Sequence, residues 1–142
     1  MLIQYDNSSC GPIAIMNACE YLNKKCGRTR LTIQKLRKIC DTDDDIGTMR
    51  WDINRNGVLN LGKAVYNKKR IKNMKAFILL YSGDGFAHYV FVVNNGTSYI
   101  VYNYIYENQY VHRKMNVDEF DDLLRANPIV DGLDYPIAWK IC

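Results

Sequence analysis

A cysteine stands at the start of a predicted helix, close to the beginning of this 142-residue chain. Cys10 is followed by Gly11 and Pro12, and proline suits the first turn of a helix because that position needs no amide donor. A thiol at a helix N-terminus lies where the helix dipole favours negative charge, which lowers its pKa and makes it a better nucleophile. The sequence therefore predicts Cys10 as a candidate nucleophile.

A thiol nucleophile needs a neighbouring base, and the chain offers two histidines for this role, His88 and His112. His88 lies in a run rich in Tyr, Val and Phe that predicts a long strand, Phe86–Asn94. His112 lies between Tyr110 and Lys114, in a run that predicts a short peripheral strand. We therefore predict His88 as the base and keep His112 as the weaker candidate.

The sequence also predicts which residue lies beside His88. The Asn-Gly pair at 95–96, between two strand-like runs, is the strongest short signal for a two-residue hairpin turn. With that turn, Asn94 pairs with Thr97, and counting outward places His88 opposite Asn103. Directly opposite residues of an antiparallel pair share a face, with Cβ atoms about 4.5–5.5 Å apart. Asn103 is therefore predicted to orient the imidazole of His88.

The tetrahedral intermediate of acyl transfer carries an oxyanion, which needs hydrogen-bond donors. The Cys10 backbone amide at the helix start is one candidate donor, and the side-chain amide of Gln4 is a second. Considered alone, each of these residues has a structural explanation, such as a buried spacer cysteine or a core histidine. Their combination with the Gly-Pro helix start and the hairpin favours a catalytic site.

At these residues the chain resembles the papain-like cysteine peptidases, and within them the C39 branch of bacteriocin-leader peptidases. One matching block runs from Gln4 through Cys10-Gly11-Pro12 to Ala18, and the other runs from His88 to Asn103. The resemblance implies a papain-like fold, with N-terminal helices packed on an antiparallel sheet. It implies that Gln4 is the oxyanion residue and Cys10 the nucleophile. It also implies that His88 is the base and Asn103 its orienting partner, and we expect no metal or cofactor.

Two features depart from the C39 pattern. That branch usually has aspartate where Asn103 stands, asparagine being the choice of papain itself, and the usual glycine before the histidine is replaced by Ala87. Relatives in the C39 branch favour cleavage after paired glycines, so the resemblance implies a peptide or isopeptide bond after Gly-Gly as the substrate. Two alternatives stay open: a thiol acyltransferase, and a non-catalytic module that binds peptides or proteins on the same fold.

The element order that must position these residues has helices first and strands later, which is typical of a single α+β domain with an antiparallel sheet over residues 1–142. The predicted helices run over Gly11–Lys24, Thr32–Cys40, Thr48–Arg55, Val58–Asn67 and from Asn116 to a stop at Asn127. The predicted strands are Ala76–Tyr81, Phe86–Asn94, Thr97–Tyr104, Tyr110–Lys114 and Ile137–Ile141. Ser8 or Ser9 is expected to cap the first helix. Both faces of the central hairpin are apolar, which predicts helices on each side of the sheet.

The composition restricts the function classes. With 48% apolar residues the chain can bury a sizeable core, yet no segment approaches the ~20 apolar residues of a membrane span. The net charge is +4, and we interpret the basic residues as parts of solvent-exposed helix faces and loops. We therefore expect a peptide or protein substrate and no binding to nucleic acid or a membrane. Five cysteines without a Cys-x-x-Cys pair, and no visible secretory signal, predict reduced thiols and a cytoplasmic location, the host cytoplasm if the source is a phage or virus. The oligomeric state is left open.

Overall fold

The computed structural model describes residues 1–23, 33–83, 86–125 and 136–141. Four helices lie in this part of the chain: α1 (Cys10–Tyr21), α2 (Ile33–Ile39), α3 (Lys68–Lys72) and α4 (Val117–Arg125). The strands β1 (Ala76–Gly83), β2 (Phe86–Asn94), β3 (Tyr99–Tyr106), β4 (Gln109–Met115) and β5 (Ile137–Lys140) form one antiparallel sheet in the order β4-β3-β2-β1-β5. The predicted α+β fold with an antiparallel sheet is therefore confirmed. Within the described ranges, no helix is long and apolar enough to cross a bilayer.

Both faces of the sheet are buried along β1 and β2. The odd-numbered residues of β2 in the range Tyr89–Val93 point to the face on which α1 packs. Val90 and Val92 point to the other face, where Ile71 of α3 and Phe120 of α4 cover them. The prediction that helices lie on both sides is confirmed, because a strand without a polar face needs apolar partners on each side.

The hairpin between β2 and β3 has a longer loop than the sequence predicts. Asn94 pairs with Tyr99 and not with Thr97, so the predicted register is wrong by two residues. The Asn95 side chain explains the longer loop, because its oxygen accepts hydrogen bonds from the backbone amides of Thr97 and Ser98. These contacts stabilise a four-residue connection in place of a two-residue turn.

The changed register affects the predicted neighbour of His88. An even shift keeps every side chain on its predicted face, because side chains alternate with a period of two. The shift nevertheless moves Asn103 away from the position directly opposite His88. Regular pairing of β2 with β3 extends only to Phe91 and Tyr102, and Asn103 follows this point with a left-handed backbone, φ 66°.

The segment 58–67 is not the predicted helix. It runs beside β5, where the Gly62 amide donates to the Lys140 carbonyl at 2.8 Å. Val65 and Ala138 exchange two backbone hydrogen bonds of 2.8 and 2.9 Å. Backbone groups of this segment are thus satisfied by a strand distant in sequence, so its apolar residues fill the core without a helix.

The remaining predicted elements form with boundaries shifted by a few residues, apart from two differences. Only Ile53–Arg55 of the predicted helix Thr48–Arg55 forms, as a 3₁₀ turn. The short helix α3 was not predicted; the Asn67 side chain caps it by accepting an amide hydrogen bond from its first turn. The predicted cap Thr32 and the predicted stop at Asn127 lie outside the described residues.

The prediction of reduced thiols is wrong at Cys19. This cysteine is buried on α1 and is disulfide-bonded. Cys10 and Cys40 are free and buried. Sequence spacing does not show which sulfur atoms lie close together in space. The disulfide of Cys19 therefore removes reduced thiols as support for the predicted cytoplasmic location.

Candidate active site

The loop before α1 is held by Asp6 and not by a serine cap. Ser9 occupies the cap position, yet its side chain makes no capping hydrogen bond. The Asp6 carboxylate instead accepts from the amides of Ser8 and Ser9 at 3.0 and 2.8 Å, and from the Ser9 hydroxyl at 2.8 Å. Arg37 of α2 donates to both serine hydroxyls at 2.7 Å. The predicted serine cap is therefore wrong, because these hydroxyls link the loop to α2 just before Cys10.

Gly11 is required by the close approach of a second loop. A Cβ atom at this position would lie 2.6 Å from the hydroxyl oxygen of Thr48 and 2.9 Å from its Cβ. Thr48 is buried and hydrogen-bonded to the Thr42 hydroxyl at 2.6 Å, so its side chain has little room to yield. A larger residue than glycine would push the start of α1 away from this loop. Packing next to the candidate nucleophile thus explains the glycine of the Cys-Gly-Pro motif.

Cys10 lies between the start of α1 and the start of β2. The Tyr89 amide is near its sulfur, a contact that favours the thiolate. The phenols of Tyr81 and Tyr110 both interact electrostatically with Cys10. The same two rings flank the imidazole of His88, with centroids 5.7 and 5.6 Å from it. Cys10 and His88 thus share Tyr81 and Tyr110 as neighbours, although no hydrogen bond joins the two side chains among the contacts of the described residues.

His88 is held through its Nε2 atom. That nitrogen lies 2.6 Å from the backbone carbonyl oxygen of Asn103. A carbonyl oxygen only accepts, so Nε2 carries the hydrogen and donates it. In the neutral imidazole the lone pair is then on Nδ1, which is the atom able to take a proton. Asn103 therefore contacts the His88 ring with its main-chain carbonyl, and not with the side-chain amide that the sequence predicts.

The Asn103 side chain is used for Gln4. Its Oδ1 accepts from the Gln4 backbone amide at 3.1 Å, and its Nδ2 donates to Gln4 Oε1 at 2.6 Å. The Gln4 Nε2 donates to the Asp6 carbonyl oxygen at 2.6 Å. That nitrogen carries two hydrogens, so the second one stays available as an oxyanion donor. Asn103 therefore joins the predicted oxyanion residue to the predicted base.

Burial keeps both reactive groups neutral in this conformation. Cys10 is 7% exposed and His88 is 3% exposed. Desolvation raises the pKa of the Cys10 thiol, in spite of nearby backbone amides that lower it. Desolvation also lowers the pKa of His88 to about 4, in spite of its hydrogen bond to Asn103. Burial thus favours a neutral thiol and a neutral imidazole over the thiolate–imidazolium pair typical of activated cysteines.

Tyr110 is the most exposed ring of this cluster. It is half-buried on β4, packs against His88, and its hydroxyl lies 3.4 Å from the Asp6 carbonyl. The ring therefore bridges β4 to the loop that precedes Cys10. Sequence reasoning missed Tyr81, Tyr110 and Asp6 as members of the site. The sequence does contain a signal for Asp6. An aspartate followed by Asn-Ser-Ser is typical of a turn in which the carboxylate accepts hydrogen bonds from the next backbone amides.

We expect the free energy of unfolding to depend less on pH in His88→Gln than in the natural protein. The His88 pKa falls from 6.5 to about 4 in the fold, so the fold resists protonation of this ring. The stability that depends on neutral His88 is complete above pH 6.5 and is lost as pH falls towards 4, a loss of about 3 kcal/mol. The glutamine of the variant cannot titrate but can still donate to Asn103. Urea unfolding at a series of pH values measures the difference, and parallel curves for the two proteins would contradict this expectation.

Comparison with models of known protein families gives no match, and comparison with curated protein sequences gives none either. Across the described ranges, no group of three or more His, Cys, Asp and Glu side chains is arranged to hold a metal ion.

Proposed function

We propose that this protein is a cysteine peptidase of papain-like fold that cleaves a peptide or isopeptide bond. The observation that carries the proposal is the hydrogen bond from His88 Nε2 to the Asn103 carbonyl. It leaves the Nδ1 lone pair as the base, and the two tyrosines that flank His88 also interact with Cys10, a free thiol at a helix start. A purely structural histidine needs one satisfied hydrogen bond, but it does not need a thiol nucleophile and an oxyanion donor beside it.

In the proposed reaction, His88 Nδ1 takes the proton of Cys10 Sγ as the sulfur attacks the carbonyl carbon of the substrate. The tetrahedral oxyanion is stabilised by the Cys10 backbone amide and by the second hydrogen of Gln4 Nε2. Protonated His88 then gives its proton to the leaving amine, and the C–N bond breaks to form a thioester at Cys10. Water, deprotonated by His88, then attacks the thioester carbon. The C–S bond breaks, the acid is released, and protonated His88 returns the proton to Cys10 Sγ. An amine acceptor in place of water would make the protein a thiol acyltransferase.

The substrate that we propose is a peptide chain with Gly-Gly before the bond that is cleaved. This choice follows from the resemblance to the C39 branch and from no contact in the structure. Glycines suit a site with little free space, because Cys10 and His88 are almost fully covered. The preference is therefore compatible with the burial of the site, which a bulky residue at the same position would disturb.

A second candidate function is favoured by the protonation states. Desolvation raises the pKa of Cys10 and lowers that of His88, so neither residue is charged in the resting state. A peptide-binding module that has lost its activity would show the same arrangement. It differs from a peptidase in one measurable way: its partner binds equally well after Cys10→Ala, and no product forms.

The proposed function is tested by alkylating the folded protein with limiting iodoacetamide and mapping the labelled cysteines by mass spectrometry. Without reductant, Cys19 stays in its disulfide, and Cys40 is the matched control because it is also free and buried. Burial and Asp52 raise the pKa of Cys40 to about 11. We expect Cys10 to react faster than Cys40 near neutral pH, and His88→Gln to slow Cys10 by roughly a hundredfold while leaving Cys40 unchanged. Equal rates, or a Cys10 rate that does not depend on His88, would reject the proposal.

A further inference from the structure

His112 lies opposite an irregularity in the sheet. Val101 of β3 pairs with Arg113 of β4, but the next pair is Tyr104 with Val111. Two residues of β3, at 102–103, therefore face the single residue His112, which is the definition of a β-bulge. A bulge leaves one residue without its ladder hydrogen bond, so its amide needs another acceptor.

The acceptor is the imidazole of His112. The Asn103 backbone amide donates to His112 Nδ1 at 3.2 Å. Every polar group of Asn103 then has a partner, since its carbonyl accepts from His88 and its side chain is bonded twice to Gln4. Asn103 is completely buried and has a left-handed backbone, so it depends on these partners to keep its conformation.

We propose that His112 is a positioning residue for the active site. As a neutral imidazole it accepts the Asn103 amide, and this contact holds the bulge that presents Asn103 to His88 and Gln4. Protonation converts Nδ1 into a donor, which cannot accept from an amide. The contact is then lost, and Asn103 no longer fixes the base and the oxyanion residue together. This inference rests on the proposed function, because it concerns the geometry of the same site.

The surroundings of His112 fix its tautomer and its titration. The ring hydrogen-bonds to the Met1 backbone, so Nε2 carries the hydrogen while Nδ1 accepts. The charged groups that act on it are the Met1 amino group and Glu20, which are paired with each other at 2.9 Å. The Tyr102 ring contacts it edge-on, with centroids 5.2 Å apart. Burial and the amino group together hold the pKa of His112 below 6.5, whereas the Met1 hydrogen bond and Glu20 act in the opposite direction.

The sign of the pH effect follows from these contacts. The neutral ring is the form that accepts from Asn103, so the site is intact above the pKa of His112. As pH falls through that pKa, Asn103 loses its acceptor. His88 titrates separately, at about 4. A change at the site that follows the titration of the His112 ring signal therefore reports His112 and not His88.

The test is a nuclear magnetic resonance titration of the full chain from pH 8 to about 5, with the side-chain amide signals of Gln4 and Asn103 as readout. We expect both signals to shift with the midpoint of the His112 ring. In His112→Asn, whose side-chain oxygen can replace Nδ1 as acceptor, the signals should stay at their high-pH positions throughout. In His112→Phe they should be displaced at every pH, and alkylation of Cys10 should slow by at least about tenfold.

The role of His112 is decided by the amide signals, which do not require turnover of a substrate. Signals that do not move with the His112 ring, or that titrate unchanged in His112→Asn, would overturn the proposal even if His112→Phe failed to fold. Coupled signals in a protein that cleaves no substrate would reject the peptidase and keep the positioning role of His112. Turnover of a substrate by a protein whose signals are not coupled to His112 would keep the peptidase and reject the positioning role of His112.

Discussion

If the proposed function holds, we expect Cys10→Ala to abolish turnover of a Gly-Gly peptide, with a loss of roughly 10³-fold or more, because no other group can form the proposed thioester. The fold is expected to survive the change. The start of α1 is held by Asp6, Arg37 and the close contact of Gly11 with Thr48, and none of these contacts uses the thiol. Removing one buried sulfur atom leaves a small gap and costs about 1 kcal/mol of unfolding free energy.

Cys40→Ala is the matched control for this variant. Cys40 is the other free, buried thiol of the described residues, and it is completely covered. Its pKa is raised to about 11, so it is almost never a thiolate at neutral pH. We expect Cys40→Ala to keep the full rate. Turnover that persists in Cys10→Ala, or that disappears equally in both variants, would exclude Cys10 as the nucleophile.

Asn103→Asp is expected to destabilise the fold by roughly 3 kcal/mol or more at neutral pH. The Gln4 side chain can adopt only one orientation, because its Nε2 must face the Asp6 carbonyl, which only accepts. Its Oε1 therefore faces residue 103 at 2.6 Å and requires a donor there. Asparagine supplies this donor, whereas an aspartate would place a buried carboxylate against an amide oxygen. The same geometry explains why asparagine, and not aspartate, suits position 103.

The pH dependence of Asn103→Asp separates this explanation from a general loss of packing. Burial and the facing oxygen raise the pKa of the new carboxyl in the fold. The folded protein then binds more protons than the unfolded one, so the penalty is largest at high pH and is relieved as pH falls and the acid can donate to Gln4. Urea unfolding at several pH values, read as the difference from the natural protein, measures this effect. A penalty that does not change with pH would contradict the assigned hydrogen bonds.

Asn95→Asp is the matched control for the charge change. Asn95 lies in the exposed hairpin loop and uses only its side-chain oxygen, which accepts from Thr97 and Ser98. A carboxylate can replace that oxygen without losing a contact. We expect Asn95→Asp to change the free energy of unfolding by less than about 0.5 kcal/mol.

Local patterns in the sequence were sufficient for several features of the fold. The apolar runs of β1 and β2 give strands with both faces buried, and the Gly-Pro pair after Cys10 gives the start of α1. Alternation assigned residues to the correct faces of the sheet, because a register error of two residues does not change the face. These features depend on residues that are close together in the chain, so they can be predicted from one sequence.

Other features depend on contacts between residues far apart in the chain. Apolar spacing over residues 58–67 suggested a helix, but pairing with β5 satisfies this backbone instead. The disulfide of Cys19 depends on which sulfur lies near it. The length of the hairpin loop was decided by the Asn95 side chain, which competes with the two-residue turn.

The candidate site divides in the same way. The sequence by itself determined which residue types are present and that Cys10 begins a helix, because both follow from composition and local turn chemistry. Only the tertiary structure decided how Asn103 acts, with its carbonyl on His88, its side chain on Gln4 and its amide on His112. The physical reason is the β-bulge, whose extra residue turns the backbone of Asn103 out of the regular ladder. The direction of three hydrogen bonds follows from that one irregularity.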